Sequence, residues 1–241
     1  MEITRIISDK KNSMTGCKIP TIAFLGDSVT QGCFELDMKA DGGIENVYDK
    51  DSAYHNYVAK ILSVLFPGIP INIINAGVAG ETALGGEKML ERDVLAFHPD
   101  LTVVCFGLND SDTGMENIET YTSALRNIFH RLKEAGSEII FMTPNMMNTK
   151  VSMLLKEDFM KKVAVKTQQI QNNGVLDSYM EAAKKVCSEC DVIVCDCYAK
   201  WKKMNEKGVD ITELLANKLN HPTREMHWLF AAMLVDTMFE N

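Results

Sequence analysis

Five short, almost wholly apolar runs recur along this chain, at Thr21–Leu25, Ile71–Ile74, Leu101–Phe106, Glu138–Met142 and Asp191–Cys195. Longer stretches with the 3.6-residue apolar spacing of amphipathic helices separate them. A strand that alternates in polarity buries one face, whereas a strand apolar throughout buries both, and a parallel sheet wrapped by helices does this. The helical stripes are explicit. Tyr54, Tyr57, Val58, Ile61, Leu62 and Leu65 share one face, as do Met226, Leu229, Phe230, Met233 and Leu234 in the last helix. Pro222 stands near the first turn of that last helix, where a missing N–H is harmless. Further helices are expected over 85–96, 116–135, 152–188 (two, broken near Asn172-Asn173-Gly174) and 197–207. The pattern predicts an α/β fold: a single doubly wound three-layer α/β/α sandwich on a five-stranded parallel sheet. Residues 1–18 read as a poorly specified leader and 19–241 as the domain.

A chain of 241 residues with 46% apolar content supports one such core. Its net charge of −8, from 25 basic and 33 acidic residues, supplies no basic field toward nucleic acid or an anionic membrane. No apolar run approaches the length of a membrane span, and the polar start MEITRIISDKKNSMTG does not resemble a signal peptide. Seven cysteines, an odd number in a chain too large to need staples, read as reduced thiols of a cytoplasmic protein.

In an open parallel sheet the loops leaving the carboxyl ends of the strands share one edge, and ligands bind there. The first strand leaves into Gly26-Asp27-Ser28, the second into Asn75 through Thr82, and the third into Gly107-Leu108-Asn109-Asp110. Far along the chain, Asn220-His221-Pro222 precedes the final helix. Each piece has a plainer use. Asp27 and Ser28 suit a helix cap, Asn109-Asp110 suits a turn, and His221 suits a surface position. Three candidates after three consecutive strands, with a histidine before the last helix, form instead the parts of acyl transfer: a hydroxyl, an imidazole and two oxyanion donors.

These motifs, in this order from residue 20 to 241, resemble the SGNH (GDSL) hydrolase superfamily, serine esterases on a flavodoxin-like α/β/α sandwich. The resemblance implies that Ser28 is the nucleophile and His221 the base. It implies that the backbone of Gly80, rather than Gly77, and the side chain of Asn109 are oxyanion donors beside the Ser28 N–H, and that Met226-His227 stands where the family often has Gly-His. One departure is plain. Three residues before the histidine, where the family usually has an aspartate, this chain has Lys218, and a cation cannot accept the Nδ1–H bond. Three alternatives stand: a backbone carbonyl near Lys218 holds the ring; a carboxylate from Asp196, Asp210 or Glu213 substitutes; or the enzyme is weak.

Other signals are set aside. Cys187, Cys190, Cys195 and Cys197 read as core thiols rather than metal ligands, with Cys195 and Cys197 alternating on the fifth strand. Met146-Met147 is a possible pocket lining. The insertion from Phe34 to Lys50, with Glu35, Asp37, Asp41, Glu45 and Asp49, reads as a solvated acidic loop whose alternative role is a rim around a neutral sugar ester. Together with loop 144–150 it is a segment that could close over the site. The expected function is a serine esterase that removes a short acyl group, acetyl first, from a carbohydrate or other small polar ester, without cofactor or metal. The alternatives are a lysophospholipase, thioesterase or arylesterase of the same superfamily, or a catalytically weak ligand-binding homologue with Lys218 as the cause.

Overall fold

The computed structural model describes residues 1–39 and 43–240. Its strands are β1 (Thr21–Gly26), β2 (Cys33–Met38), β3 (Ile44–Tyr48), β4 (Asn72–Gly77), β5 (Leu101–Cys105), β6 (Glu138–Met142) and β7 (Ile193–Cys195). Five of them form a parallel sheet in the order β4-β1-β5-β6-β7, the flavodoxin-like arrangement in which the chain reverses direction beside β1. The central strands β1 and β5 are buried throughout, whereas β4 exposes Asn72 and Asn75 at the sheet edge. Burial from both faces is what their continuous apolar runs demanded.

The helices are α1 (Glu2–Asn12), α2 (Ser28–Gln31), α3 (Tyr54–Leu65), α4 (Ala83–Asp93), α5 (Leu108–Ser111), α6 (Ile118–Glu134), α7 (Asp158–Asn172), α8 (Val175–Glu189), α9 (Cys197–Glu206) and α10 (Arg224–Glu240). On one side α3 packs against α10; on the other α4 packs on α6 and α6 on α8. The two helices expected within 152–188 are present, separated at Asn173-Gly174, but the first begins only at Asp158. No helix among the described residues is long and apolar enough to cross a membrane.

Four readings need correction. Residues 1–18, read as a poorly specified leader, carry a docked helix: α1 buries Ile3 and Ile7 completely in the main core, and the Glu138 carboxylate accepts the N–H groups of Glu2 (2.9 Å) and Ile3 (2.8 Å). Only two buried aliphatic residues at i, i+4 marked this helix among its charges. Cys195 ends β7 while Cys197 opens α9, so the two do not alternate on a strand, although both are buried with Cys187; Cys190 is partly exposed. Met146 and Met147 are core residues rather than pocket lining, and loop 144–148 is buried throughout. The segment from Phe34 to Lys50 is not a simple loop: β2 and β3 pair as an antiparallel hairpin. Asp41 lies outside the described residues.

Candidate active site

The β1 strand delivers the chain to the carboxyl edge of the sheet, where the Asp27 carboxylate caps α2 by accepting the Val29 N–H at 3.0 Å. The cap reading of Asp27 is therefore correct, and it sets Ser28 on the first helical residue. From there the Ser28 hydroxyl lies 2.9 Å from Nε2 of His221. The other ring nitrogen of His221, Nδ1, lies 3.1 Å from the backbone carbonyl of Phe34. A carbonyl only accepts, so Nδ1 carries the hydrogen and Nε2 presents its lone pair to the serine.

The group that holds His221 is thus a carbonyl, though not one near Lys218. Lys218 turns away and pairs with Glu213 at 3.0 Å. Asp196 caps α9 through the Ala199 N–H, and Asp210 pairs with Lys150, so none of the three carboxylates considered reaches the ring. The loop carrying His221 is shaped by Asn217, whose Oδ1 accepts the N–H groups of Leu219, Asn220 and His221 at 3.0 Å each. That fan of bonds holds Lys218 in the left-handed region, at φ 59°, a conformation that costs an ordinary residue energy.

The β4–α4 loop brings the next group. The Asn75 side chain accepts the Gly77 N–H at 3.0 Å within the end of β4, and Gln31 of α2 accepts the Ala79 N–H at 2.7 Å, tying the loop to α2 just past Val78. Gly77 has no room for a side chain: a Cβ there would stand 2.3 Å from the Gln31 nitrogen. Gly80 differs. It adopts φ +82° with open space where a Cβ would be, and its N–H has no acceptor among the described residues. On α5, the Asn109 amide spends one hydrogen on the Glu81 carbonyl at 2.8 Å and keeps the other. Ser28, Gly80, Asn109 and His221 all line one cleft of about 360 Å³, walled by Leu36 and Leu219. Leu36 also lines a neighbouring hollow of about 480 Å³, rimmed by Glu35, Asp37, Lys156 and Lys218.

Burial governs the electrostatics. It pushes His221 down to about 4, against smaller upward pulls from the Phe34 hydrogen bond and the Glu35 charge. It pushes Asp27 up to about 7 and Asp110 up to about 6, only partly offset by backbone N–H groups. The imidazole is therefore neutral, and able to accept a proton, throughout the physiological range. His227 has a different place: its Nδ1 accepts the Tyr54 N–H at 3.0 Å and its ring packs on Phe34 at 4.7 Å.

Three contributors escaped the sequence reading. The Phe34 carbonyl is a backbone group and carries no residue-type signal. Asn217 and Gln31 are polar residues next to the recognised motifs, and their neighbourhood was the only hint of them.

A model of the GDSL-like lipase/acylhydrolase family matches residues 24–229. An acetylxylan esterase from Geobacillus stearothermophilus is 26% identical over 132 residues, which spans 51% of this chain and 58% of that relative's length. A solved structure of acetylxylan esterase from the same organism superposes with a TM-score of 0.66 at 21% identity, covering 91% of this chain and 94% of that one. A lipase/acylhydrolase from Enterococcus faecalis gives a TM-score of 0.64 at 20% identity, with 91% and 95% covered. At such identities the solved structures speak for the fold, the α/β/α sandwich expected from the strand and helix pattern.

Proposed function

The chain belongs to the GDSL-like lipase/acylhydrolase family of carboxylic-ester hydrolases, and from that premise we propose that it is a serine esterase removing a short acyl group, acetyl first, from a carbohydrate or other small polar ester. The observation that carries this reading is the relay from the Ser28 hydroxyl to His221 Nε2 at 2.9 Å and from His221 Nδ1 to the Phe34 carbonyl at 3.1 Å.

A serine hydroxyl is a weak nucleophile until a base removes its proton. As the Ser28 oxygen bonds to the ester carbon, its proton passes to His221 Nε2, and the carbonyl π pair moves onto oxygen. The resulting oxyanion lies before the N–H groups of Ser28 and Gly80 and the spare Asn109 amide hydrogen. One such donor is worth about 2.7–4 kcal/mol of barrier. When the carbonyl re-forms, the C–O bond to the alcohol breaks and His221 returns its proton to the departing oxygen. Water, deprotonated by the same nitrogen, then attacks the acyl-enzyme and releases the acid and Ser28.

The acyl and alcohol preferences are drawn from the relatives and from the rim of the site. Acetylxylan esterase relatives favour acetyl on a sugar, and the adjoining hollow has charged side chains at its rim, able to bond to hydroxyl groups. A cytoplasmic location accompanies the reading, since all seven cysteines are free thiols and such thiols persist in a reducing compartment. The test is activity with a fluorophosphonate probe beside a substrate panel. Covalent capture at Ser28, loss of all hydrolysis in a folded Ser28→Ala variant, and faster turnover of acetyl esters than of longer acyl esters are expected. Full activity in Ser28→Ala overturns the mechanism; preference for long acyl chains overturns the substrate class.

A further inference from the structure

The histidine relay ends on β2, one strand of a two-stranded hairpin whose first residues, Cys33 and Phe34, are buried. A two-stranded hairpin alone is marginally stable, and β2–β3 also sets Asp37 directly opposite Glu45, a like-charged pair. The register of this hairpin shifts between Cys33, which faces Tyr48, and Leu36, which faces Asn46. Three steps along β2 therefore answer two along β3. The extra residue is a β-bulge at Phe34–Glu35, and a bulge leaves a residue out of the ladder and bends the strand. That is how the Phe34 carbonyl comes to be free for His221.

The segment that carries His221 grips the same bulge a second time. Three residues on, Arg224 forks onto the Glu35 carboxylate, with Nη1 donating to Oε1 at 2.6 Å and Nη2 to Oε2 at 3.1 Å. Its Nε donates to Asp49 at 2.9 Å, just past the end of β3, and its guanidinium carbon lies 4.4 Å from the centre of the Phe34 ring. A planar fork fixes direction as well as distance. One arginine thus ties both strands of the hairpin to the start of α10 at the residue whose carbonyl orients the imidazole. We propose that Arg224, acting through Glu35 and Asp49, is a positioning residue for His221: it holds the bulge so that the Phe34 carbonyl does the orienting that an aspartate would otherwise do. This inference rests on the esterase reading above for its kinetic consequence, but not for its structural one.

The experiment compares Arg224→Gln, Glu35→Gln, the double variant and Arg224→Lys by steady-state kinetics on nitrophenyl acetate and by the His221 Nδ1–H proton resonance, assigned through its absence in His221→Ala. Each single neutral variant is expected to lose kcat by about tenfold to a hundredfold, part of the roughly 10²–10⁴-fold that a positioned general base contributes, with KM little changed and the Nδ1–H resonance lost to exchange. The double variant is expected to be no worse than Arg224→Gln alone, because Glu35 acts through its contact with Arg224. It also removes both charges of the Arg224–Glu35 pair together, leaving Asp49 short of its arginine, and so serves where a single variant does not fold. Arg224→Lys is expected to recover part of kcat. A folded variant lacking the Arg224–Glu35 pair that keeps both wild-type kcat and the Nδ1–H resonance overturns the proposal, as do losses that multiply in the double variant. A wild-type chain that neither turns over esters nor is captured by a fluorophosphonate contradicts the esterase reading instead, and the resonance still reports on the clamp.

Discussion

At the scale of single residues, the site differs from a Ser-His-Asp arrangement by one acceptor. A carboxylate both fixes the tautomer and compensates the charge on the imidazolium. The Phe34 carbonyl fixes the tautomer with only a dipole to offer the cation, so burial dominates and His221 falls to about 4. The sign of the pH dependence follows. In the proposed mechanism neutral His221 accepts the Ser28 proton and the protonated form cannot, so activity is expected to be lost as pH falls through the histidine value. The acid limb of kcat/KM is expected near pH 4, measured on an ester stable in acid; a limb near the ordinary histidine value of about 6.5 would show that the ring is wetter or more charge-compensated than its surroundings here imply. Ser28, Asn109 and His221 could be picked out in the sequence because each sits in a motif of side-chain type and position, and the family resemblance singles out Gly80. Phe34 could not, because its contribution is a carbonyl that every residue possesses.

At the scale of elements, legibility tracked how much of each element's surface is buried. Strands β1 and β5, covered on both faces, announced themselves as unbroken apolar runs, and β7 was overextended because Asp191, at φ 50°, begins a turn rather than a strand. The hairpin β2–β3 and helix α1 were hidden because most of their described residues are exposed or only partly buried. For α1 the hidden part has energetic weight. Ile7 is wholly buried in the main core, and truncating such a residue costs about 2–5 kcal/mol. Ile7→Ala is expected to lower stability by that amount in a denaturant titration while leaving kcat near wild type, since α1 docks on Glu138 at the start of β6, the end of the strand away from the carboxyl edge that carries the cleft. A loss of about 0.5 kcal/mol or less, typical of a surface change, would mean that α1 is not docked as described.

At the scale of the whole molecule, the fold is a device for convergence. Parallel strands point their carboxyl ends the same way, so loops far apart in the chain share one edge. Ser28 after β1, Gly80 after β4, Asn109 after β5 and His221 before α10 line a single cleft for that reason. The hairpin inserted after α2 reaches across to complete it, with Leu36 on its wall and the Phe34 carbonyl behind its histidine. The charge of −8 is consistent with a neutral ester rather than an anionic lipid surface as the partner. The measurement that bears most directly on this convergence is rapid-quench mass spectrometry of the protein mixed with an acetyl ester. The expected result is a transient mass gain of one acetyl group, mapped to the peptide holding Ser28 and absent when His221 is replaced by alanine. Acetate released with no acylated intermediate on Ser28, or acylation proceeding as fast without the imidazole, would contradict the account.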